Sequence, residues 1–231
     1  MSLFDGTPEI THPSQDGFMF PQSLTEKYRP RAIAEFVGLE KPKKLVSNLA
    51  QHPREMALLF RGPSGTGKTT LALALAAAIP AELHHIPSQE CNLERIQRVR
   101  MTCQYVPQTG KKAHLVLVDE ADCMSGPAKI AFLSLLDSTN RAPNTIVIFT
   151  CNSTDRLNEN DETKGRFLSR CTVVDFSSYG IAQDAADLLA RIWDAETGGN
   201  PNRPNFARIV KDASNNVRAA VNALEAEIMM L

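Results

Sequence analysis

Residues 62–69 read G-P-S-G-T-G-K-T, and residues 115–122 read L-V-L-V-D-E-A-D. The first string matches G-x-x-x-x-G-K-[ST]. In that pattern backbone N–H groups wrap a polyphosphate, the lysine reaches the β- and γ-phosphates, and the hydroxyl ligates Mg²⁺. Gly62, Gly65 and Gly67 can take backbone conformations closed to other residues, with Pro63, Ser64 and Thr66 between them. Lys68 is the phosphate cation of the pattern, Thr69 its metal-binding hydroxyl, and Thr70 the next residue of the expected helix. The second string is an apolar strand ending in Asp119 and Glu120, two carboxylates at the edge where open α/β folds bind ligands. Asp119 is placed to hold Mg²⁺, and Glu120 to polarise the water that attacks a γ-phosphate. Together the strings predict a protein that binds and hydrolyses ATP with Mg²⁺.

The flanking sequence provides the setting these residues need. Residues 57–60 are apolar and suit a buried strand, while 70–79 are almost all Ala and Leu and stop before Pro80. Strand, loop and helix in that order aim a helix N-terminus, with its free N–H groups and partial positive charge, at the phosphates. From residue 24 onward helix and strand signals alternate. Helices are expected near 43–51, 93–105 and 127–138, and further strands at 82–86, 114–118, 145–150 and 172–176. Such alternation predicts a mainly parallel sheet covered by helices on both faces. After residue 176 the strand signal ends. Ile181, Ala185, Leu188, Leu189, Ile192 and Trp193 fall on one helical face, and Val217, Ala220, Val221, Leu224 and Ile228 repeat the pattern. Gly198, Gly199, Pro201 and Pro204 mark the break between these helices. The expected organisation is a flexible arm (1–23), an α/β domain (24–176) and a small all-helical domain (177–231).

The bulk composition narrows the classes. With 231 residues, 43% hydrophobic and 22% charged, the chain has ordinary globular composition. A formal net charge of -1 gives no global attraction to nucleic acid, so DNA contact needs a local basic stripe or patches summed over an oligomer. Arg95, Arg98 and Arg100 are the basic stretch available; Arg95 and Arg98 share a helical face and Arg100 lies off it. The five cysteines are odd in number and never spaced C-x-x-C, which argues against a disulfide framework or zinc ribbon and for reduced, buried thiols in the cytoplasm. No apolar stretch approaches the ~20 residues of a membrane span.

Beyond the two phosphate-site strings, the chain carries Glu26-Lys27-Tyr28-Arg29-Pro30, Phe36-Val37-Gly38, Cys151-Asn152, Ser169-Arg170-Cys171 and Asn216-Val217-Arg218. With these the sequence resembles an AAA+ ATPase and, within that superfamily, is similar to the small subunits of clamp loaders such as replication factor C. The resemblance runs from about residue 24 to the C-terminus. It implies that Tyr28, Arg29, Val37 and Gly38 line an adenine pocket and that Asn152 helps orient the attacking water. It implies that Arg218, on a lid formed by the helical domain, touches the γ-phosphate of its own subunit. Arg170 is implied as an arginine finger reaching a neighbouring subunit, where a guanidinium offers fixed donors to transition-state charge.

The implied partners are other AAA+ subunits, primed or duplex DNA and a sliding clamp. The chain departs from the family where a third, helical collar domain would follow the lid, since it stops at Leu231. E-K-Y-R-P with S-R-C favours a clamp-loader-like motor in DNA replication. The departure at the collar favours another AAA+ task, such as branch migration, replication restart or transposition control. A third reading is a nucleotide-binding scaffold subunit, against which intact Lys68, Thr69, Asp119 and Glu120 speak.

Overall fold

The computed structural model describes residues 20–107, 110–137, 142–155, 157 and 165–231. The expected N-terminal arm lies outside the described residues as far as residue 19, as does Ser138 at the end of one expected helix. Five strands, β1 (Met56–Arg61), β2 (Ala81–Pro87), β3 (Ala113–Asp119), β4 (Thr145–Cys151) and β5 (Thr172–Asp175), form one parallel sheet in the order β2-β3-β4-β1-β5. Eight helices accompany it among the described residues: α1 (Leu24–Lys27), α2 (Glu40–Gln51), α3 (Lys68–Ala78), α4 (Leu93–Cys103), α5 (Gly126–Leu136), α6 (Ala182–Thr197), α7 (Phe206–Asp212) and α8 (Val217–Met229).

Alternation along the strands builds the two layers. Leu58 and Phe60 of β1, Leu115 and Leu117 of β3, and Ile146 and Ile148 of β4 join a core with α2 and α3. Leu59, Val116, Val118 and Phe149 point to the opposite face and pack with Ile96 and Val99 of α4 and Phe132 and Leu133 of α5. Fully burying such side chains stabilises the fold by about 1.5–3 kcal/mol each. Local signals set the helix ends: Asn92, Ser125, Asn205 and Asn216 cap α4, α5, α7 and α8 with side-chain oxygens. Gly198, in the left-handed conformation, ends α6.

The structure differs from the sequence expectations in three places. Helix α7 follows the break marked by glycine and proline; it has seven residues, about two turns, too few for a visible stripe. Helix α1 has four residues, and its Leu24 is buried in the core of the helical domain with Leu189, Trp193 and Leu224. The Leu24 N–H also donates to Glu225 Oε1 at 3.1 Å, so α1 packs with the C-terminal helices although it precedes the sheet. The third difference concerns the thiols. Cys91, Cys103, Cys151 and Cys171 are reduced and buried as expected, whereas Cys123 is reduced and exposed, on the turn that follows Glu120.

Candidate nucleotide-binding cleft

The phosphate-loop string leaves the carboxyl end of β1 and ends where α3 begins at Lys68. Gly67 holds φ at 88° and Gly65 at 76°, conformations that a side chain would strain. Thr66 Oγ1 donates to Pro63 O at 2.8 Å and closes the loop on itself. Lys68 is buried, and its Nζ donates to Gly62 O (2.7 Å), Pro63 O (2.8 Å) and Asn152 Oδ1 (3.1 Å). Burial lowers the Lys68 pKa most, and the nearby Arg218 lowers it further, while Cys151, Asp119 and Asp122 pull it back up.

Parallel pairing brings the ends of β3 and β4 beside the loop. Thr69 Oγ1 donates to Asp119 Oδ1 at 2.7 Å, and Thr150 Oγ1 donates a short hydrogen bond to the same oxygen. The Glu120 N–H donates to Thr150 Oγ1 at 3.0 Å, so one threonine hydroxyl links the two carboxylate residues. Glu120 itself is exposed with φ 52° and ψ 48°, a left-handed conformation uncommon for a residue with a side chain. The buried Asp122 accepts from the Asn152 N–H at 3.3 Å through Oδ2, and its Oδ1 has no hydrogen-bond partner among the described residues.

Two adjoining cavities share Gly65, Gly67, Thr70 and Arg218 and form one cleft. The polar one, about 100 Å³, is lined by Ser64, Lys68, Thr69, Asp119, Glu120 and Asn152. The more apolar one, about 130 Å³, is lined by Leu24, Tyr28, Arg29, Val37, Leu188 and Val221, among others. Gly38 does not line it: with φ 61°, it faces Ile181, whose Cγ2 would lie 2.6 Å from an added Cβ. Gly62 and Pro63 likewise lie behind the cleft, where their carbonyls hold Lys68.

Helices of the C-terminal domain reach both ends. Asn216 Nδ2 donates to Ser64 O at 3.0 Å, and its Oδ1 would lie 2.0 Å from a Cβ on Gly65, so the cap of α8 rests against the phosphate loop. The Tyr28 hydroxyl donates to Glu196 of α6, which also pairs with Lys27 at 2.8 Å. Burial and the facing carboxylate push Tyr28 up to about 12.

Arg170 stands apart from the residues lining the cleft, on the turn before β5. Its Nε donates to Asp137 Oδ1 at 2.6 Å and its guanidinium also donates to Arg166 O at 2.9 Å. The expected basic face on α4 is uneven: Arg95 is half-buried with an enclosed Nε, Arg98 is paired with Glu94 at 2.6 Å, and Arg100 is exposed. Sequence reasoning gave no role to Thr150, Asp122, Asn216 or Glu196. Asn216 and Asp122 sit inside quoted strings, whereas nothing local distinguishes Thr150 or Glu196.

No described helix is long and apolar enough to cross a membrane. Comparison with known proteins adds relatives to this geometry. The chain is 31% identical over 217 residues to the replication factor C small subunit of Thermofilum pendens, covering 90% of this chain and 63% of that protein. It is 33% identical over 208 residues to replication factor C small subunit 1 of Pyrobaculum aerophilum, covering 87% and 60%. The chain thus spans about three fifths of the length of these relatives. Among solved structures, a RuvB Holliday junction branch migration motor of Thermotoga maritima superimposes with a TM-score of 0.63 at 17% identity, over 86% of this chain and 64% of that one, a likeness of fold. Residues 58–174, slightly over half of the chain, match the ATPase family associated with various cellular activities. The chain belongs to that family, the AAA ATPases.

Proposed function

We propose that this chain is a clamp-loader-like AAA+ ATPase subunit that binds ATP with Mg²⁺, hydrolyses it in an oligomer with shared active sites, and acts in DNA replication. The observation that carries the reading is the connected set Thr69, Asp119, Thr150 and Glu120 beside Lys68 and Asn152, in a chain similar to replication factor C subunits. The Thr69 hydroxyl and the Asp119 carboxylate are hard oxygen donors 2.7 Å apart, a donor set that suits Mg²⁺. Thr69 and Asp119 would hold the ion, which would supply positive charge to neutralise the negative charge developing in the transition state.

The remaining work falls to the chain's own residues. The loop N–H groups from Ser64 to Thr70 hold phosphate oxygens, and Lys68 gives up contacts with Gly62 and Pro63 carbonyls to reach the terminal phosphates. Glu120 accepts a proton from the attacking water, which Asn152 orients. Tyr28, Arg29 and Val37 receive the base in the apolar part of the cleft, with Gly38 setting the chain path behind them. Arg218 reaches the γ-phosphate from α8, and its place on both cavities supports that role. Arg170 lies outside its own chain's cleft, which favours a finger directed at a neighbour's site. The partners are other AAA+ subunits, primed or duplex DNA met by exposed arginines such as Arg98 and Arg100, and a sliding clamp.

Lys68→Ala is expected to abolish tight ATP binding, whereas Glu120→Gln keeps binding and loses turnover by ~10²- to 10⁴-fold. Equal loss of affinity in both variants, measured by equilibrium titration, would sink the division of roles. Mixing Glu120→Gln with Arg170→Ala should restore sites that combine a sound base with a sound finger. Mixtures that give only the average of the two defective variants would remove Arg170 as a shared residue.

A further inference from the structure

Away from the cleft, at the β2 edge of the sheet, two histidines and a cysteine converge under α4. Glu82 of β2 stands opposite His114 of β3, and His84 stands opposite Val116, so these side chains share one face. It is the face that α4 covers, since Val116 and Ile86 share a core with Ile96, Val99 and Cys103. The ligand atoms of His84, Cys103 and His114 all lie within 4.8 Å of one another. His114 is 1% exposed and Cys103 2%.

The hydrogen bonds fix the state of both rings. His114 Nε2 lies 2.8 Å from the Tyr105 carbonyl, an acceptor, so Nε2 carries the proton and Nδ1 presents a lone pair. That lone pair faces His84 Nε2 at 2.9 Å. A histidine that donates its second ring N–H to a backbone carbonyl is oriented as metal-ligating histidines are. Burial, then His114, holds His84 below its ordinary pKa and therefore neutral, the ligating form. Arg95 acts on His84 in the same direction and Glu82 opposes it.

We propose that His84, Cys103 and His114 form a zinc site that pins the last turn of α4 to β2 and β3. Two imidazoles and a thiolate are a donor set that selects zinc over the hard cations of a phosphate site. With Zn–N bonds of about 2.0–2.1 Å, a tetrahedral ion separates its nitrogens to about 3.3 Å, so the rings move apart by a few tenths of an ångström. The proton on His84 Nε2 passes to its Nδ1, and the Cys103 thiol, which burial pushes up to about 11, gives its proton to solvent. One proton is released per ion. A water takes the fourth position. Access is through a cavity lined by Glu82, Met101, Tyr105, Val106 and His114, where Met101, Tyr105 and Val106 are exposed.

The test uses the full chain with the exposed thiol removed by Cys123→Ser, stripped with chelator and titrated with Co²⁺, then Zn²⁺, without nucleotide. One equivalent of Co²⁺ is expected to give thiolate-to-metal charge-transfer absorption and the intense visible bands of tetrahedral coordination, both displaced by Zn²⁺. Cys103→Ser should remove the charge-transfer band. His84→Ala should weaken Zn²⁺ binding by more than about 100-fold, at least the loss that follows removal of an outer-shell partner. Lys68→Ala should leave all these signals intact, separating this site from the phosphate site. Zn²⁺ should also raise the melting temperature of the parent chain and not that of either ligand variant. Octahedral cobalt spectra without charge transfer, or a band that survives Cys103→Ser, would overturn the site and leave the histidines as a hydrogen-bonded pair.

Discussion

The two ends of the cleft are built on different principles. At the phosphate end the central side chains are tied within the α/β domain: Lys68 with two loop carbonyls and Asn152, Asp119 with two threonines, Glu120 through its N–H with one of them. At the base end the walls come from four separate pieces of chain, the segment around Tyr28 to Val37, the loop glycines, helix α6 and helix α8. Apart from Lys68, which leaves its carbonyls for the phosphates, the first end is organised before a ligand arrives, which is how electrostatic sites limit reorganisation cost. The second exists in its observed shape while the helical domain is docked, and its polar ties are few: Leu24 to Glu225, Lys27 and Tyr28 to Glu196, and Asn216 to Ser64.

This contrast can be broken at either end. The largest effect is expected from Thr150→Val, which removes the hydroxyl joining Asp119 to the Glu120 backbone. Hydrogen bonds to charged groups contribute about 1.5–3 kcal/mol, so turnover should fall ~10- to 100-fold in steady-state assays while nucleotide affinity changes little. Gly65→Ala acts where the ends meet: the positive φ costs about 1–2 kcal/mol, and the new Cβ displaces the Asn216 cap from the loop. Nucleotide affinity should fall about tenfold by titration, and protease cleavage between the domains should accelerate. Tyr28→Phe removes a single tie at the base end. A loss of only a few-fold in affinity, with turnover at saturation unchanged, is expected from a hydrogen bond of ordinary strength.

The smallest effect is a pH dependence. Lys27, then Tyr28, hold the Glu196 carboxyl below its ordinary value. A depressed carboxylate contributes stability that is present above its unfolded pKa of about 4.3 and is lost as pH falls through the lowered folded value. Acid titration below about pH 4.3 should therefore loosen the α1 to α6 contact in the parent chain, read by Tyr28 fluorescence, and Glu196→Gln should flatten that response.

The same contrast governs what the sequence revealed. The phosphate end was legible because its geometry is local: a loop between one strand and one helix, and two carboxylates at a strand end. Parallel order followed from alternation, and the apolar runs placed five strands to within a residue or two. Thr150 was not legible, since its part depends on β3 and β4 lying side by side, a pairing no local signal encodes. Glu196 and Leu24 were hidden for a similar reason: Glu196 meets Tyr28 across 168 positions of chain and Leu24 meets Glu225 across 201, and an exposed-looking glutamate on a helix has no mark of its partner. The zinc ligands escaped the cysteine count because they come singly from two strands and a helix, without the close spacing that identifies a ribbon.

Helix α3 carries a consequence for how such a molecule does mechanical work. Seven of its eleven residues are buried, including Lys68 at its start, and its Leu71, Ala72 and Leu75 are sealed between the sheet and α2. Close-packed interiors resist displacement, so the element that holds the phosphates behaves as a fulcrum, fixed to the frame of the sheet. On the proposed function, strain generated when the γ-phosphate is gained or lost would pass from that fulcrum to the helical domain, which touches the phosphate loop through Asn216. On that reading the work would leave the chain as movement of these helices against a fixed sheet.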